Sequence, residues 1–486
     1  MKPRHVSLRS GVYADSVRLM QVSRQIGDRS GVTAALVAMA TPLNLELAAG
    51  MGLSPDGEAR PDQLLVALTA TDDDELAAAV SAVDVALVAR ESGGGDIPTA
   101  PPRTIGAALA DAPDPALAII SVPGRYAAAE AADAIAAGRS VLVFSDGVPV
   151  EQEVALKRAA HEAGVLVMGP DCGTAIVSGV ALGFANVVRP GPVGLVAASG
   201  TGAQQVSCLL DAAGVGVSHV LGVGGRDLSA AVGGLATLDA LAALDDDPAS
   251  ERVLLVAKPP APEVAARVQE AAAGLATPVR SALLSPEQPD LTAAVEALLA
   301  DLDVPVPQWP ARPGRVDAVP PGAVLKGFYS GGTLADEAML IAAPVLGDIR
   351  SNTPLRPDLD LGTELRARGS VVVDFGDDAL TVGRAHPMID PTLRLEAISN
   401  LAASREPAVL LLDVVLGYGA DPDPSLSLVP ALRAAGLPAV VALVGTEADP
   451  QGWSRQADAL AEAGAAVFAS NAAATRYALD LIGGRA

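Results

Sequence analysis

The chain has 486 residues and a formal net charge of −24, and half of its residues are hydrophobic although only 2% are aromatic. This length predicts about three or four domains, and the scarcity of aromatic residues predicts cores of Ala, Val and Leu. The net negative charge argues against a nucleic-acid partner. Two cysteines, a charged N-terminus and no apolar run of membrane length indicate a cytoplasmic protein without membrane contact.

Aliphatic strands alternate with helical patterns almost throughout the chain, which predicts an α/β protein with parallel sheets. Residues 1–95 form a small N-terminal α/β unit, with a helical segment near 13–26 and aliphatic runs at 31–39 and 63–70. The Gly/Pro-rich stretch 91–103 is typical of a linker.

A second unit spans residues 104–188, and its strand candidates lie at 116–122, 140–145 and 165–168. Each strand is followed at once by a Gly/Pro turn, and loops at the carboxyl ends of parallel strands line the ligand crevice. The residues predicted to form a ligand pocket here are Pro123, Gly124, Asp146, Gly147, Gly169, Pro170, Asp171 and Cys172. The turn backbone shapes this wall, and the Cys172 thiol is expected to be a small neighbour of the ligand.

The third unit, 190–300, and the fourth unit, 323–486, follow one plan on either side of a Pro-rich linker at 304–322. Both place Ser-Gly-x-Thr between an aliphatic strand and a helix, in VAASGTGAQQ and in GFYSGGTLADE. The predicted strands of the two units lie at 193–198, 217–221, 252–257 and 278–283, and at 323–330, 370–376, 408–415, 438–445 and 465–470.

The two Ser-Gly-x-Thr turns are candidate anion sites, because a helix N-terminus offers free N–H groups, glycine allows close approach and a hydroxyl adds a donor. Two such turns could face one phosphate-like group; the alternative is that each is only an N-cap and a tight turn. The residues of these turns are Ser199, Gly200, Thr201, Gly202, Ser330, Gly331, Gly332 and Thr333. No P-loop and no GxGxxG motif occurs.

Further candidates follow the next strands of both units. Gly224, Gly225 and Arg226 in GVGGRDLS, and Gly376 in DFGDDALTVGR, could add anion donors. Lys258 ends the strand RVLLVAK and could neutralise a phosphate or carboxylate, or it could be a solvated lysine at a strand end.

Arg384 and His386 cluster in GRAHPMIDP. His386 could be a phosphoryl or acyl acceptor or a general base, with Arg384 beside it, or it could be an ordinary loop histidine. No histidine pair has metal-ligand spacing, so we expect no structural metal.

Nine segments in order, covering essentially the whole chain, resemble the FdrA family. These are GVYADSVRLM, SVPGRYAAAEA, FSDGVPVEQEVALKR, MGPDCGTAI, GFANVVRPGPVG, GVGGRDLS, KPPAPEV, YSGGTLADEA and GRAHPMIDP. The FdrA family is similar to NDP-forming acyl-CoA synthetases such as succinyl-CoA synthetase. The resemblance implies a Rossmann-like CoA-binding-type domain at 104–188 and two flavodoxin-like domains at 190–300 and 323–486, whose paired helices hold a phosphorylated intermediate.

The chain departs from the synthetases at the reacting groups. Their phosphohistidine run is replaced by SALLSPEQPD, Lys258 stands where they place a glutamate, and no segment is left to assign to an ATP-grasp domain. At Asp171 the synthetases' turn has an asparagine, so a negative charge is added where CoA would bind. The resemblance therefore implies a chain that does not run the ATP and phosphohistidine cycle alone.

Three functions remain open. The first, which the resemblance to the FdrA family implies, is a carbamoyl- or acyl-transfer subunit of a hetero-oligomeric oxamate carbamoyltransferase. It would use phosphate or carbamoyl phosphate in purine-ureide (allantoin) breakdown, with partner subunits and self-association. The second is an acyl-CoA ligase that borrows an ATP-grasp partner. The third is a non-catalytic scaffold with a degenerate pocket. No tightly bound cofactor is expected; phosphate, carbamoyl phosphate or CoA would be ligands of a small-anion site.

Overall fold

The computed structural model describes most of the chain, which divides into two compact units. The first consists of Met1–Pro101 and Asp378–Ile389, and the second of Pro102–Asp377 and Asp390–Ala486. The described residues are 3–10, 12, 16–55, 57, 59–60, 63–88, 102, 104–111, 117–314, 319–381 and 384–483. Most of the predicted linker 91–103 and residues 315–318 of the second linker lie outside them.

The N-terminal part of the first unit is a three-stranded sheet with helices. Its elements are β1 (Arg4–Arg9), α1 (Ser16–Gly27), β2 (Val32–Met39), α2 (Pro42–Gly50), β3 (Leu64–Ala70) and α3 (Asp73–Val88). The strand order is β1-β3-β2, and both pairings are antiparallel. This differs from the parallel sheet that the alternating pattern predicts, because β3 lies between β1 and β2 and runs opposite to both. A short helix, α12 (Asp378–Thr381), belongs to the later segment of this unit.

The second unit begins with a parallel three-stranded sheet in the order β4-β5-β6. Its elements are α4 (Ile105–Asp111), β4 (Leu117–Ile120), α5 (Gly124–Ala136), β5 (Ser140–Val143), α6 (Val150–Ala163) and β6 (Val167–Met168). All three strands fall within the predicted runs. Alternate residues of β4 and β5 pack against alanines of α5, which explains how a chain so poor in aromatic residues builds a core here.

A six-stranded sheet follows, in the order β12-β11-β9-β10-β7-β8. Its elements are β7 (Thr174–Val177), β8 (Val180–Gly183), β9 (Pro190–Ala197), α7 (Gly200–Ala212), β10 (Val217–Gly222), α8 (Leu235–Asp245), β11 (Arg252–Ala257), α9 (Pro262–Ala273), β12 (Val279–Leu283) and α10 (Leu291–Asp301). The four strands predicted for 190–300 are confirmed and pair in parallel. The β7–β8 hairpin, which precedes the predicted boundary near residue 190, extends this sheet in antiparallel fashion.

The last sheet has seven strands in the order β13-β19-β18-β17-β14-β16-β15. Its elements are β13 (Ala311–Arg312), β14 (Val324–Tyr329), α11 (Gly332–Leu346), β15 (Arg350–Ser351), β16 (Val371–Asp374), α13 (Thr392–Ser404), β17 (Ala408–Val415), α14 (Pro424–Ala435), β18 (Ala439–Val444), α15 (Trp453–Glu462), β19 (Ala466–Phe468) and α16 (Asn471–Ile482). Two 3-10 turns lie at Pro357–Leu359 and Gly362–Glu364. All pairings are parallel except that of β13, which comes from the Pro-rich linker and pairs antiparallel with β19.

In the second unit, the long apolar runs of the sequence form buried parallel strands, as predicted; every residue of β17 and β18 is buried. Within the described ranges, helices that combine the length and the hydropathy needed to cross a bilayer are not found.

Helices α7, α11 and α16 are joined by a buried polar network that sets the position of the candidate site. The Asn471 backbone N–H donates to Gln205 Oε1 at 2.9 Å, and Gln205 Nε2 donates to the Ala469 carbonyl at 2.9 Å. Asn471 Nδ2 also donates to Glu337 Oε2 at 2.7 Å. These hydrogen bonds connect helices that pack on the six-stranded and seven-stranded sheets. Because the bonded groups are buried, the bonds are strong and align the starts of α7 and α11.

Candidate functional site

The two Ser-Gly-x-Thr turns meet directly. Ser199 is the N-cap of α7, where its Oγ accepts the Gly202 N–H at 2.9 Å, and the same hydroxyl donates to Thr333 Oγ1 at 2.6 Å. A β-carbon at Gly331 would lie 2.5 Å from Thr201 Oγ1, so only glycine allows this approach. The structure therefore brings together the two half-sites that the sequence placed 131 residues apart (Ser199 and Ser330).

The second turn has a carboxylate behind it that the sequence pattern did not reveal. The Ser330 and Gly331 N–H groups donate to Asp413 Oδ1 and Oδ2 at 2.7 and 2.9 Å, and Ser330 Oγ donates to Oδ1 at 2.9 Å. Arg394 Nη1 lies 3.4 Å from Asp413 Oδ1, and both side chains are buried. The amides of Ser330 and Gly331, predicted to bind an anion, are thus engaged by Asp413, and Thr333 is the part of the turn that reaches α7.

Lys258 follows β11 and lies among carboxylates of the neighbouring domain. Its Nζ is 2.9 Å from Asp336 Oδ2, on α11. A β-carbon built at Gly332 would be 3.2 Å from Lys258 Nζ and 2.5 Å from Asp374 Oδ2, so both groups lie against the first residue of α11. Burial opposes the charged ammonium, but Asp336, Asp374 and Asp377 outweigh it and raise the pKa of Lys258, which keeps it cationic.

Asp374 ends β16 and is buried at this junction. Burial raises its pKa to about 7, against the opposing attraction of Lys258 and the N–H of Gly376. That N–H donates to Asp374 Oδ1 at 2.9 Å, so the Gly376 amide, predicted as an anion donor, orients Asp374 instead. Asn352 also accepts the Asp374 backbone N–H at 2.9 Å. A carboxyl that titrates near neutrality beside a cation has the properties of a proton donor and acceptor.

The loops predicted to form the crevice converge. Gly124, after Pro123, packs against the backbone of Asp146 and Gly147, and a β-carbon at Gly224 would lie 2.6 Å from the Pro170 carbonyl oxygen. The next residue faces open space, because a β-carbon at Gly225 would meet nothing within 4 Å.

A buried ion cluster supports the Gly224–Arg226 turn. Lys157 Nζ donates to Glu153 Oε1 and Asp227 Oδ1, each at 2.8 Å, and all three side chains are shielded from solvent. Arg226 Nη2 donates to the Val148 carbonyl at 2.8 Å and lies 2.9 Å from Glu153 Oε2. Arg226, predicted as an anion donor, thus pairs with a buried glutamate, while its side chain remains half-exposed.

Cys172 is buried in the wall of the crevice. Burial raises the pKa of its thiol to about 12, and Sγ lies 3.6 Å from the Thr174 carbonyl, so the neutral thiol is the stable form. The adjacent Asp171 is exposed, has a φ of 59° and donates its backbone N–H to the Ser145 carbonyl at 3.0 Å. The turn backbone, rather than the thiol, determines the shape of this wall.

Arg384 and His386 lie in the segment Asp378–Ile389, which belongs to the first compact unit, whereas both Ser-Gly-x-Thr turns and Lys258 belong to the second. The His386 ring Nδ1 accepts the Met388 backbone N–H at 3.3 Å.

Comparisons with known proteins agree with this architecture. The CoA-ligase family model matches residues 328–481. The model of the AllF heavy metal-associated domain matches residues 1–100. The uncharacterized protein YahF of Escherichia coli, an FdrA-like protein, is 36% identical over 96% of this chain and 96% of its own length.

The chain belongs to the FdrA family. It is also 33% identical to the alpha 2 subunit of ADP-forming succinate–CoA ligase from Archaeoglobus fulgidus, over 32% of this chain and about half (52%) of that subunit. Among solved structures, the dinucleotide-forming acetyl-coenzyme A synthetase 1 of Ca. Korarchaeum cryptofilum, in complex with phosphate and ADP, matches with a TM-score of 0.29 and 17% identity, covering 76% of this chain and 86% of that one. The match to the CoA-ligase family model places this FdrA-family protein in the CoA-ligase, succinyl-CoA synthetase-like superfamily.

The N-terminal domain of this FdrA-family protein does not fit a heavy-metal ion, despite the description of its family model. Residues 1–100 contain no cysteine, and their single histidine, His5, is hydrogen-bonded through Nε2 to Ser7 Oγ at 2.9 Å. Across the described ranges, no three His, Cys, Asp or Glu side chains are grouped to hold a metal ion. Soft metal ions prefer thiolate ligands, which this domain lacks.

Three carboxylates of the site were missed from the sequence: Asp336, Asp374 and Asp413. Asp413 interrupts the aliphatic strand AVLLLDVV, and Asp374 ends the strand VVVD. A charged residue within or at the end of a buried strand is the signal that could have marked both, because such residues are rarely buried without a partner.

Proposed function

We propose that this FdrA-family chain is a carbamoyl- or acyl-transfer subunit that acts with partner subunits as an oxamate carbamoyltransferase in purine-ureide (allantoin) breakdown. Phosphate would attack the carbamoyl group of oxalurate and release oxamate and carbamoyl phosphate. The small anionic substrates would bind where the two Ser-Gly-x-Thr turns meet.

The observation that carries this proposal is the position of Lys258 against the first residue of α11, beside the Ser199–Thr333 hydrogen bond. A cation and two helix N-termini at one point suit a free oxyanion. Position 258 is a glutamate in the synthetases that the chain resembles. The segment SALLSPEQPD, at the end of β12, has no histidine to carry a phosphoryl group. A lysine at this position, together with the absence of a histidine that could carry a phosphoryl group, favours carbamoyl or acyl transfer between free anions. It disfavours a cycle that passes through a phosphorylated enzyme.

Transfer of this kind needs positioning and charge stabilisation rather than ATP hydrolysis. The attacking phosphate oxygen forms a bond to the carbamoyl carbon, and the bond from that carbon to the oxamate nitrogen breaks. Lys258 and the hydroxyls of Thr201 and Thr333 would stabilise the negative charge on phosphate and on the tetrahedral intermediate.

Isothermal titration of the full chain with carbamoyl phosphate, phosphate, CoA and ATP tests the proposal. We expect carbamoyl phosphate and phosphate to bind, and Lys258→Met to weaken both by about tenfold to a hundredfold, the effect of losing one charge-assisted contact. Arg433→Met, which removes an exposed charge from α14, should leave both affinities unchanged. Clear CoA binding without heat from either phosphate compound would refute the proposal.

The second candidate is an acyl-CoA ligase subunit that works with a separate nucleotide-binding partner. The match to a succinate–CoA ligase subunit favours it. This reading requires a phosphorylated residue, for which His386 is the candidate histidine.

Radiolabelled ATP with cell lysate should then label the chain in an acid-labile form, and His386→Asn should remove the label. Absence of label from the wild-type chain would count against the ligase.

A further inference from the structure

Asp374 lies beside Lys258 at the first residue of α11. One carboxylate oxygen, Oδ1, is fixed by the Gly376 N–H at 2.9 Å, and the other, Oδ2, lies against Gly332, as does Lys258 Nζ. The backbone therefore orients one oxygen of the carboxyl group, and the other oxygen faces the start of α11.

Charged groups reach Asp374 from each neighbouring element. Lys258, at the end of β11, attracts it; Asp336 on α11 and Asp413 on β17 repel it. Asp377 follows in the same loop and interacts with Lys258, and Arg394 on α13 offsets the charge of Asp413. Burial, together with the negative charges of Asp336 and Asp413, raises the pKa of Asp374 to about 7 against the attraction of Lys258.

We propose, building on the function above, that Asp374 is the proton-transfer residue of this site and that it takes up a proton when an oxyanion binds beside Lys258. The bound oxyanion adds a second negative charge close to Asp374, which disfavours the ionised carboxylate. Anion binding therefore favours protonation of Asp374, and protonation of Asp374 favours anion binding. Protonated Asp374 then gives its proton to the oxamate nitrogen as the carbon–nitrogen bond breaks. The O–H proton of the attacking hydrogen phosphate restores the carboxyl group, and no further reactant is consumed.

Titration of the full chain with sulfate isolates the coupling between anion binding and proton uptake by the protein, because sulfate does not change its own protonation across the neutral range. Calorimetry in two buffers of different ionisation enthalpy gives the number of protons taken up. We expect close to one proton per sulfate at about pH 8, and an affinity that falls by up to about tenfold per pH unit above neutrality.

Asp374→Asn should bind sulfate without proton uptake and with little dependence on pH. Asp480→Asn, which changes an exposed carboxylate on α16, is the control. This variant should keep the uptake.

The possible failures are distinguishable. If neither sulfate nor phosphate binds the wild-type chain, the anion site itself is refuted and the proposed function with it. If sulfate binds without proton uptake, or if Asp374→Asn keeps the uptake, the role of Asp374 alone is overturned.

Discussion

Replacement of Asp374 by asparagine should change how stability depends on pH. The folded-state pKa of Asp374, about 7, is above the ordinary value of 3.8. The folded chain therefore binds this proton more tightly than the unfolded chain does. Its contribution to stability is complete below about pH 4 and is lost as the pH rises through about 7. Asparagine does not titrate, yet its Oδ1 can still accept the Gly376 N–H.

The size of the effect follows from the two pKa values. A carboxyl with these values stabilises the folded state by about 2–3 kcal/mol near pH 5 and by almost nothing near pH 8. Between these two pH values the wild-type chain should therefore lose about 2–3 kcal/mol relative to Asp374→Asn. Other titrating groups, such as Glu337, are common to both proteins and cancel in the difference.

Urea unfolding of both proteins at a series of pH values from about 5 to 8 measures this difference. Asp480→Asn, which changes an exposed carboxylate on α16, is the control and should follow the wild type throughout. If the curves of Asp374→Asn and wild type stay parallel across this range, Asp374 does not carry the raised pKa and the reasoning is refuted.

Gly331→Ala should destabilise the contact between the two turns by about 1–3 kcal/mol, because its β-carbon would overlap Thr201. Gly225→Ala places its β-carbon in open space and should cost much less; equal losses in thermal melts of the two variants would contradict the close approach. Cys172 and Cys208 are buried and burial raises both thiol pKa values, so neither should react with a thiol reagent until the chain unfolds. Rapid labelling of the native chain would be inconsistent with this environment.

Much of the fold could be predicted from the sequence because buried parallel strands leave a local pattern. Runs such as RVLLVA and AVLLLDVV are aliphatic on both faces, and both are strands of the structure. The two Ser-Gly-x-Thr turns were also readable, since a hydroxyl and glycines between a strand and a helix are local features. Ser199 is the N-cap predicted for α7, although Gly331 occupies that position at α11.

The N-terminal sheet and the linker strand β13 were not predictable in the same way. The direction of β3 depends on which strands it pairs with, and the aliphatic run itself is the same for either direction. Ala311–Arg312 becomes a strand only because the edge of β19 is available to it.

By itself, the sequence determined the α/β class, nearly all the long strands and the two turns that could bind an anion. The tertiary structure alone decided what surrounds those turns. Lys258 pairs with Asp336, 78 residues further on, and the amides of Ser330 and Gly331 donate to Asp413, 83 and 82 residues away. Burial and long-range charges set the protonation of a carboxyl, and neither is encoded in its local sequence. For that reason Asp374 emerges as the acid–base candidate only once β11, α11 and β16 lie together.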